Sequence, residues 1–514
     1  MTLRIYITFL FSLFIGITLY GQKQDYAELE KRIDSLRTVW DVPGLSVAIV
    51  QDGDVVFNRG FGEREKGKGK PTNGQSLYAI ASISKAFTGA ALAMLVDEGK
   101  ISWDDKVVTF LPWFKLYDPW VTQQMTIKDL LTHRSGLGTF SGDLLWHAST
   151  LSMEEVVRGA RYLEPKFEFR DGYGYQNIMY VAAGLVLEKV SGQSWADFVR
   201  SRILEPIGMK HTLTSVTQIP ASGNVAIPHS GQPGENIPIP YINWDNMAPA
   251  GALVSCTEDL CKWMTLQLNR GKWKDKTIFT EDRWREMWTN YNPQPISAFA
   301  ERTYPGQSFS GYGLGWSLKT YRGEKIVSHG GGYDAMISNL TMIPGKNAGF
   351  VILSNNVTIL PHVLHLTLMD FIIGTNDDET DWSAMFMNYS QNKQKQENAR
   401  VQNLMDLRID PPNHSLPLDD YAGTYGGPMY GNTKVWLEND TLRFQMVPTP
   451  LFHGWLEPMN HDTFILHWSE VHMLPIGTAQ FIVDGHGKTE ELRMDVPNDD
   501  FWFDELEMKR LDID

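Results

Sequence analysis

The sequence predicts an α+β unit, an antiparallel sheet flanked by helices plus a helical subdomain, followed by a small all-β barrel domain. Three observations carry that expectation. Strand patterns occur near both ends of the first part of the chain, at Leu45 to Val50 and Val55 to Gly60 and again between Gly313 and Ser354. Strands so placed suit one sheet made by bringing distant parts of the chain together. About two hundred residues between them read as helical or irregular, a length that calls for a layer of its own. The last stretch, Leu416 to Asp514, is a run of short strand-like pieces separated by Gly, Asn-Asp and Asp-Gly turns, as in a small β-barrel or β-sandwich. At 514 residues the chain exceeds one ordinary core.

Taken in order, Met1-Thr2-Leu3-Arg4 and the apolar run Ile5 to Tyr20, ending at Gly21, read as a secretory signal over residues 1–21. The run is shorter than the roughly 20 residues that cross a bilayer. Export to the periplasm or beyond is expected, with no stable membrane insertion after cleavage. Bulky Leu19 leaves an uncleaved N-terminal anchor open as the alternative. Leu29, Ile33, Leu36 and Val39 then fall at helical spacing over Tyr26 to Trp40. Asp52-Gly53 joins the first two strands as a hairpin turn. The run Lys66 to Pro71 lacks the spacing of a phosphate cradle and reads as a solvated turn.

A helix is expected from the region of Ser82 to Gly99, and another over Ile178 to Val190. Ser152 to Glu155 and Ser255 to Glu258 match capping boxes. Ile219 to Pro240 is dense in Pro and Gly and reads as a long loop. Strands are expected near Gly313 to Trp316, Lys325 to Ser328, Met336 to Ile343 and Gly349 to Ser354, with a helix over His362 to Ile373 packing on them. The domain boundaries follow as a signal at 1–21, a catalytic domain at 22–375, a polar helical linker at 376–415 and the barrel at 416–514.

The net charge of -15 argues against a nucleic-acid partner or an anionic membrane surface, since either needs a basic face. Cys256 and Cys261 lie on one expected helix and point apart, so each reads as a buried, inert thiol. The histidines show no metal-ligand spacing, and no metal or organic cofactor is expected.

The chemistry is expected at Ser82-Ile83-Ser84-Lys85. Residues three apart on a helix share a face, so the Ser82 hydroxyl and the Lys85 amine can meet. Serine is a poor nucleophile without a base, and a lysine serves as one only when burial or a neighbouring cation lowers its pKa. The pattern alone is weak, because Ser390 to Lys393 repeats it in a polar stretch. Two further groups supply what acyl transfer needs. Tyr175-Gln176-Asn177 precedes a helix, and a tyrosine whose pKa is lowered by a nearby ammonium can shuttle protons. Ser328-His329-Gly330-Gly331-Gly332-Tyr333 offers glycines that let a substrate carbonyl approach the backbone.

In that order, these three motifs resemble the serine β-lactamase and penicillin-binding-protein superfamily, on its class C and esterase-like side. Leu130 to Leu137, Ala248 to Ser255 and Tyr312 to Trp316 resemble stretches that the family carries, and the likeness covers roughly residues 26 to 375. The last hundred or so residues resemble the lipocalin-like domain that some members append. The resemblance implies Ser82 as the acylated nucleophile and Lys85 as its partner in proton transfer. It implies Tyr175 as general base or acid and Asn177 as the group that holds Lys85 and a substrate amide oxygen. His329, Gly331 and Gly332 would face substrate, with the oxyanion between the backbone N–H groups of Ser82 and Gly332.

His329 stands where many β-lactamases and carboxypeptidases of the superfamily have a lysine, so a permanent positive charge for a substrate carboxylate is lost. The expectation is therefore an exported serine hydrolase of the peptidase or esterase type. It would act on small peptides or esters through a Ser82 acyl-enzyme. The alternatives are a β-lactamase or D-Ala-D-Ala carboxypeptidase, or a catalytically silent penicillin-binding-like sensor. Oligomeric state is not readable from the sequence.

Overall fold

The organising element is an eight-stranded antiparallel sheet in which an N-terminal hairpin, residues 44–62, pairs with strands drawn from residues 292–354. The computed structural model describes residues 24–231, 234–374, 380–471 and 474–511. The expected signal over 1–21 lies outside them, as do residues 376–379. No described helix is long and apolar enough to cross a membrane.

In chain order the sheet strands are β1 Gly44–Gln51, β2 Asp54–Gly62, β3 Asn292–Pro293, β4 Ser310–Tyr312, β5 Ser317–Tyr321, β6 Glu324–Tyr333, β7 Met336–Ile343 and β8 Ala348–Ser354. They lie in the order β2-β1-β8-β7-β6-β5-β4-β3. Both faces are covered, and alternation along β1 shows it. Leu45, Val47 and Ile49 pack with Leu29 and Ile33 of helix α1 (Tyr26–Val39) and Leu364 of helix α6 (Leu360–Ile373). Ala48 and Val50 turn to the opposite core, which holds helix α2 (Ser84–Asp97) and Trp263 and Met264 of helix α5 (Thr257–Leu268). Helices α3 (Met153–Gly159) and α4 (Ile178–Ser191) belong to the helical middle.

Local chemistry accounts for the element ends. Ser152 and Glu155 form the expected capping box on α3, a device worth about 1 kcal/mol. The box expected at Ser255 does not form. The Ser255 hydroxyl is bonded instead to Thr212 at 2.7 Å, and Cys256 opens α5 with no side-chain cap. The strand expected at Gly313 to Trp316 is a bend between β4 and β5. Gly315 has φ +89, and a Cβ there would lie 2.8 Å from the Lys85 carbonyl, so the chain turns to let α2 approach. Most of Ile219 to Pro240 is loop, with a two-stranded ladder of His229–Ser230 and Ile237–Pro238. Cys256 and Cys261 are free and buried, and burial pushes both thiols up.

Helix α7, Trp382–Asp406, follows, with only Trp382 and Phe386 buried along its 25 residues. Ser390 and Lys393 lie on it, and Lys393 pairs with Asp499 at 2.8 Å. The C-terminal part closes into an eight-stranded antiparallel barrel, β9 to β16: Gly423–Gly427, Gly431–Glu438, Thr441–Met446, His453–Asn460, Thr463–Trp468, Gly477–Val483, Thr489–Asp495 and Lys509–Leu511. Closure leaves no free edge, and Tyr425, Phe444, Phe464 and Phe481 are buried.

One feature of the sheet prepares the site. Strand β5 pairs with β6 only as far as Ser317 opposite Ser328, whereas β7 follows β6 to Tyr333 opposite Met336. Residues 329–333 therefore lack a β5 partner, and the turn before α2 packs against them.

Candidate active site

Ser82 sits on a single 3-10 turn, Ala81–Ile83, that runs directly into α2. Ala81 holds φ +45, a left-handed conformation that a buried alanine adopts only when its surroundings impose it. Two clamps do so. The Ile80 carbonyl accepts from the Ser338 hydroxyl of β7 at 2.9 Å, and the Ile80 N–H donates to the Leu253 carbonyl at 2.9 Å. Gly331 of β6 closes the third side. A Cβ on it would lie 2.3 Å from the Ile80 carbonyl oxygen, 2.4 Å from Ser338 Oγ and 3.1 Å from the Ser82 nitrogen. Only glycine lets the strand pass this close to the serine.

Lys85, one turn into the helix, is fully buried. Its Nζ lies 2.9 Å from Ser82 Oγ, 2.7 Å from Asn177 Oδ1 and 3.0 Å from the Ala250 carbonyl oxygen. Burial pulls the amine down to about 7, against the opposing pull of Asp143. The partners dictate what the neutral amine can do. Asn177 Oδ1 and the Ala250 oxygen only accept, so they take the two N–H bonds. The lone pair is left facing the hydroxyl of Ser82.

Asn177 is fixed from behind, where its Nδ2 donates to Asp143 Oδ2 at 2.6 Å. Asp143 follows Gly142 in the 3-10 turn Asp143–Leu145, and burial pushes its carboxyl up to about 8. The expectation that Lys85 would lower the Tyr175 pKa is not met. Burial dominates and pushes the phenol well above the usual range, although Ser82 pulls it down. The reason is geometric: Lys85 Nζ lies over the Tyr175 ring, 4.7 Å from its centroid, where it meets the π face. Tyr173, the other tyrosine of the loop, packs against His133 and Tyr312.

His329 is buried, with both ring nitrogens engaged. Its Nδ1 meets the Gly330 carbonyl at 2.6 Å and its Nε2 meets the Tyr312 hydroxyl at 2.8 Å. A carbonyl cannot donate, so Nδ1 carries the proton and Nε2 accepts from Tyr312. Burial and the Lys85 charge pull the imidazole down to about 3, so it is neutral at neutral pH. Gly332, on the exposed side of the strand, has open space where a Cβ would sit, with Ile337 3.9 Å away. His133, with φ +56, accepts the Gln176 N–H at Nδ1 at 2.9 Å, while its carbonyl takes the Gly174 N–H at 3.0 Å. It thus holds the loop that presents Tyr175.

The fold therefore gathers Ser82, Lys85, Tyr175, Asn177, His329 and Gly331 around one point. Sequence reasoning missed three partners: Asp143, the Ala250 carbonyl and Tyr312. Ala250 and Tyr312 lie in stretches quoted above for their likeness, whereas Asp143 carried no signal. Among the described residues no group of three or more His, Cys, Asp or Glu side chains is placed to hold a metal ion.

The family profile described as Beta-lactamase matches residues 30–366, and a Domain of unknown function (DUF3471) matches residues 407–510. Unguisins hydrolase ungD' of Aspergillus campestris (strain IBT 28561) is 34% identical over 261 residues, 48% of this chain and 47% of that protein. The chain spans about half the length of the first curated relatives it matches. The octameric penicillin-binding protein homologue from Pyrococcus abyssi superposes with TM-score 0.62 at 23% identity, covering 95% of this chain and 100% of that one. D-amino acid amidase from Ochrobactrum anthropi SV3, complexed with L-phenylalanine amide, superposes with TM-score 0.54 at 23% identity, covering 69% of this chain and 100% of that one. At these identities the two structures show a shared fold.

Proposed function

We propose, from the premise that this chain belongs to the beta-lactamase family, that it is a serine hydrolase cleaving amide or ester bonds of small peptides or esters through a Ser82 acyl-enzyme. The observation that carries the reading is the placement of Lys85, whose only partner able to donate a proton is Ser82 Oγ. Neutral Lys85 takes the Ser82 proton as Oγ attacks the substrate carbonyl. Tyr175, protonated at neutral pH, gives its proton to the departing alkoxide or amine, and the Lys85 ammonium restores it. In the second step the same groups take a proton from water, which attacks the ester and frees the acid and Ser82. The oxyanion is assigned to the backbone N–H groups of Ser82 and Gly332, where loss of one donor costs about 10²–10³ in rate.

The neutral, doubly bonded His329 favours substrates without a carboxylate beside the scissile bond over β-lactams and D-Ala-D-Ala peptides. Two similar proteins, a hydrolase of unguisins and a D-amino acid amidase, support amides as the first class to try. The apolar run Ile5 to Tyr20 supports export. The test is turnover across nitrophenyl esters, D- and L-amino-acid anilides and a chromogenic cephalosporin, together with fluorophosphonate labelling of wild type and Ser82→Ala. Turnover and labelling are expected in wild type and absent from Ser82→Ala. Folded wild-type protein that neither labels nor turns over any of the panel contradicts the reading and favours a silent binding protein.

A further inference from the structure

Glu505 of the C-terminal part bonds the turn that stands behind the catalytic network. Between β15 and β16 the chain runs back toward the first domain, and Glu505 lies there on the turn Phe503–Glu505. Its carboxylate accepts from the Ser141 hydroxyl at 2.5 Å and from the Gly142 N–H at 2.7 Å. Gly142, with φ +77, is the cap of the turn that begins at Asp143. Asp143 holds Asn177, and Asn177 holds Lys85. Hydrogen bonds joined by the peptide link between Gly142 and Asp143 thus connect a barrel carboxylate to the partner of the nucleophile.

The surroundings argue that this contact is more than docking. Phe501 and Phe452 already pack on His147, with ring centroids at 4.6 Å and 5.6 Å, and supply apolar adhesion. Glu505 is half-buried, and its partial burial pushes its carboxyl up, a cost that an apolar residue would avoid. A partly buried carboxylate is retained against that cost when its geometry does something a methyl group cannot.

We propose that Glu505 is a positioning residue of the active site: by holding Ser141 and Gly142 it sets Asp143, and through Asn177 the alignment of Lys85 on Ser82. The inference rests on the hydrolase reading. The groups facing Lys85 and Asp143 are Tyr175, Tyr180, His133, His329 and, from the barrel, Asp500. Of these, Asp500 neighbours Glu505 in sequence, so it is left intact in every variant.

The experiment compares wild type, Glu505→Ala, Glu505→Gln and, as a control at another barrel contact, Arg408→Ala, which breaks the pair with Glu457, all in the full chain. The readouts are kcat and KM on a nitrophenyl ester from pH 5 to 9, and amide hydrogen exchange of residues 141–147. Glu505→Ala is expected to lower kcat by about ten- to a hundredfold with KM within about threefold, as a misplacement of roughly 1 Å does. Its acid limb moves to lower pH, because the Lys85 ammonium loses the Asn177 acceptor that Asp143 positions, and exchange in 141–147 quickens. Glu505→Gln keeps an acceptor for the Gly142 N–H and donates its amide N–H to the Ser141 hydroxyl, which can accept, so it recovers most of the rate, and Arg408→Ala matches wild type. Wild-type kcat, acid limb and exchange in a folded Glu505→Ala overturn the proposal. If Glu505→Ala does not fold, Ser141→Ala removes one of the two bonds from the other side, and unchanged kcat and exchange there overturn it. An inert wild type removes the hydrolase reading, and the exchange readout then decides the contact by itself.

Discussion

At the scale of single residues, the chemistry turns on the proton of Lys85. Below pH of about 7 the ammonium donates to all three of its partners and has no lone pair for Ser82. Activity therefore rises with pH through about 7, and a pH profile of kcat/KM reads that limb directly. Lys85→Ala is expected to lower kcat by about 10²–10⁴-fold, the range for a lost general base. Ser82 and Lys85 were legible in the sequence because helical spacing alone brings them together. Asp143 and the Ala250 carbonyl were not. A backbone carbonyl has no side-chain signature, and the Asp143 contact depends on how a distant turn folds back. The tyrosine illustrates the opposite error: an ammonium near a phenol was expected to dominate, and burial outweighs it.

At the scale of elements, the site exists because β6 outruns β5 and the Ser82 turn fills the gap. Gly331→Ala places a Cβ 2.3 Å from a backbone oxygen that cannot move freely. The variant is expected to lose about 1–3 kcal/mol of stability, as overpacking does, and most fluorophosphonate labelling of Ser82. A thermal melt beside the labelling rate measures both. The hairpin of β1 and β2, helices α1, α4 and α6, and the strands β7 and β8 were legible from periodicity and turn residues, since local propensity and tertiary packing agree there. The bend at Gly313 to Trp316 and the missing cap at Ser255 were not. In each, a contact with a distant segment, the Lys85 carbonyl or Thr212, overrides the local pattern.

At the scale of the molecule, the eight-stranded barrel was foreshadowed by its turn-punctuated strands, but its place against the active site was not, because no local pattern encodes docking. Magnitudes indicate what holds it. The exposed Lys393–Asp499 pair contributes about 0–1 kcal/mol at most, whereas Phe501→Ala is expected to cost about 3–5 kcal/mol, the range for a buried phenylalanine. Denaturant unfolding of Phe501→Ala and Lys393→Ala checks that ranking. The chemistry rests on the Ser82–Lys85 pair, and the rate of Ser82 acylation by a fluorophosphonate, followed from pH 5 to 9 in wild type and Lys85→Ala, tests it most directly. The account predicts a rate that rises with an apparent pKa of about 7 and a slow reaction without that limb in Lys85→Ala. An acylation rate independent of pH, or unchanged in Lys85→Ala, would contradict it.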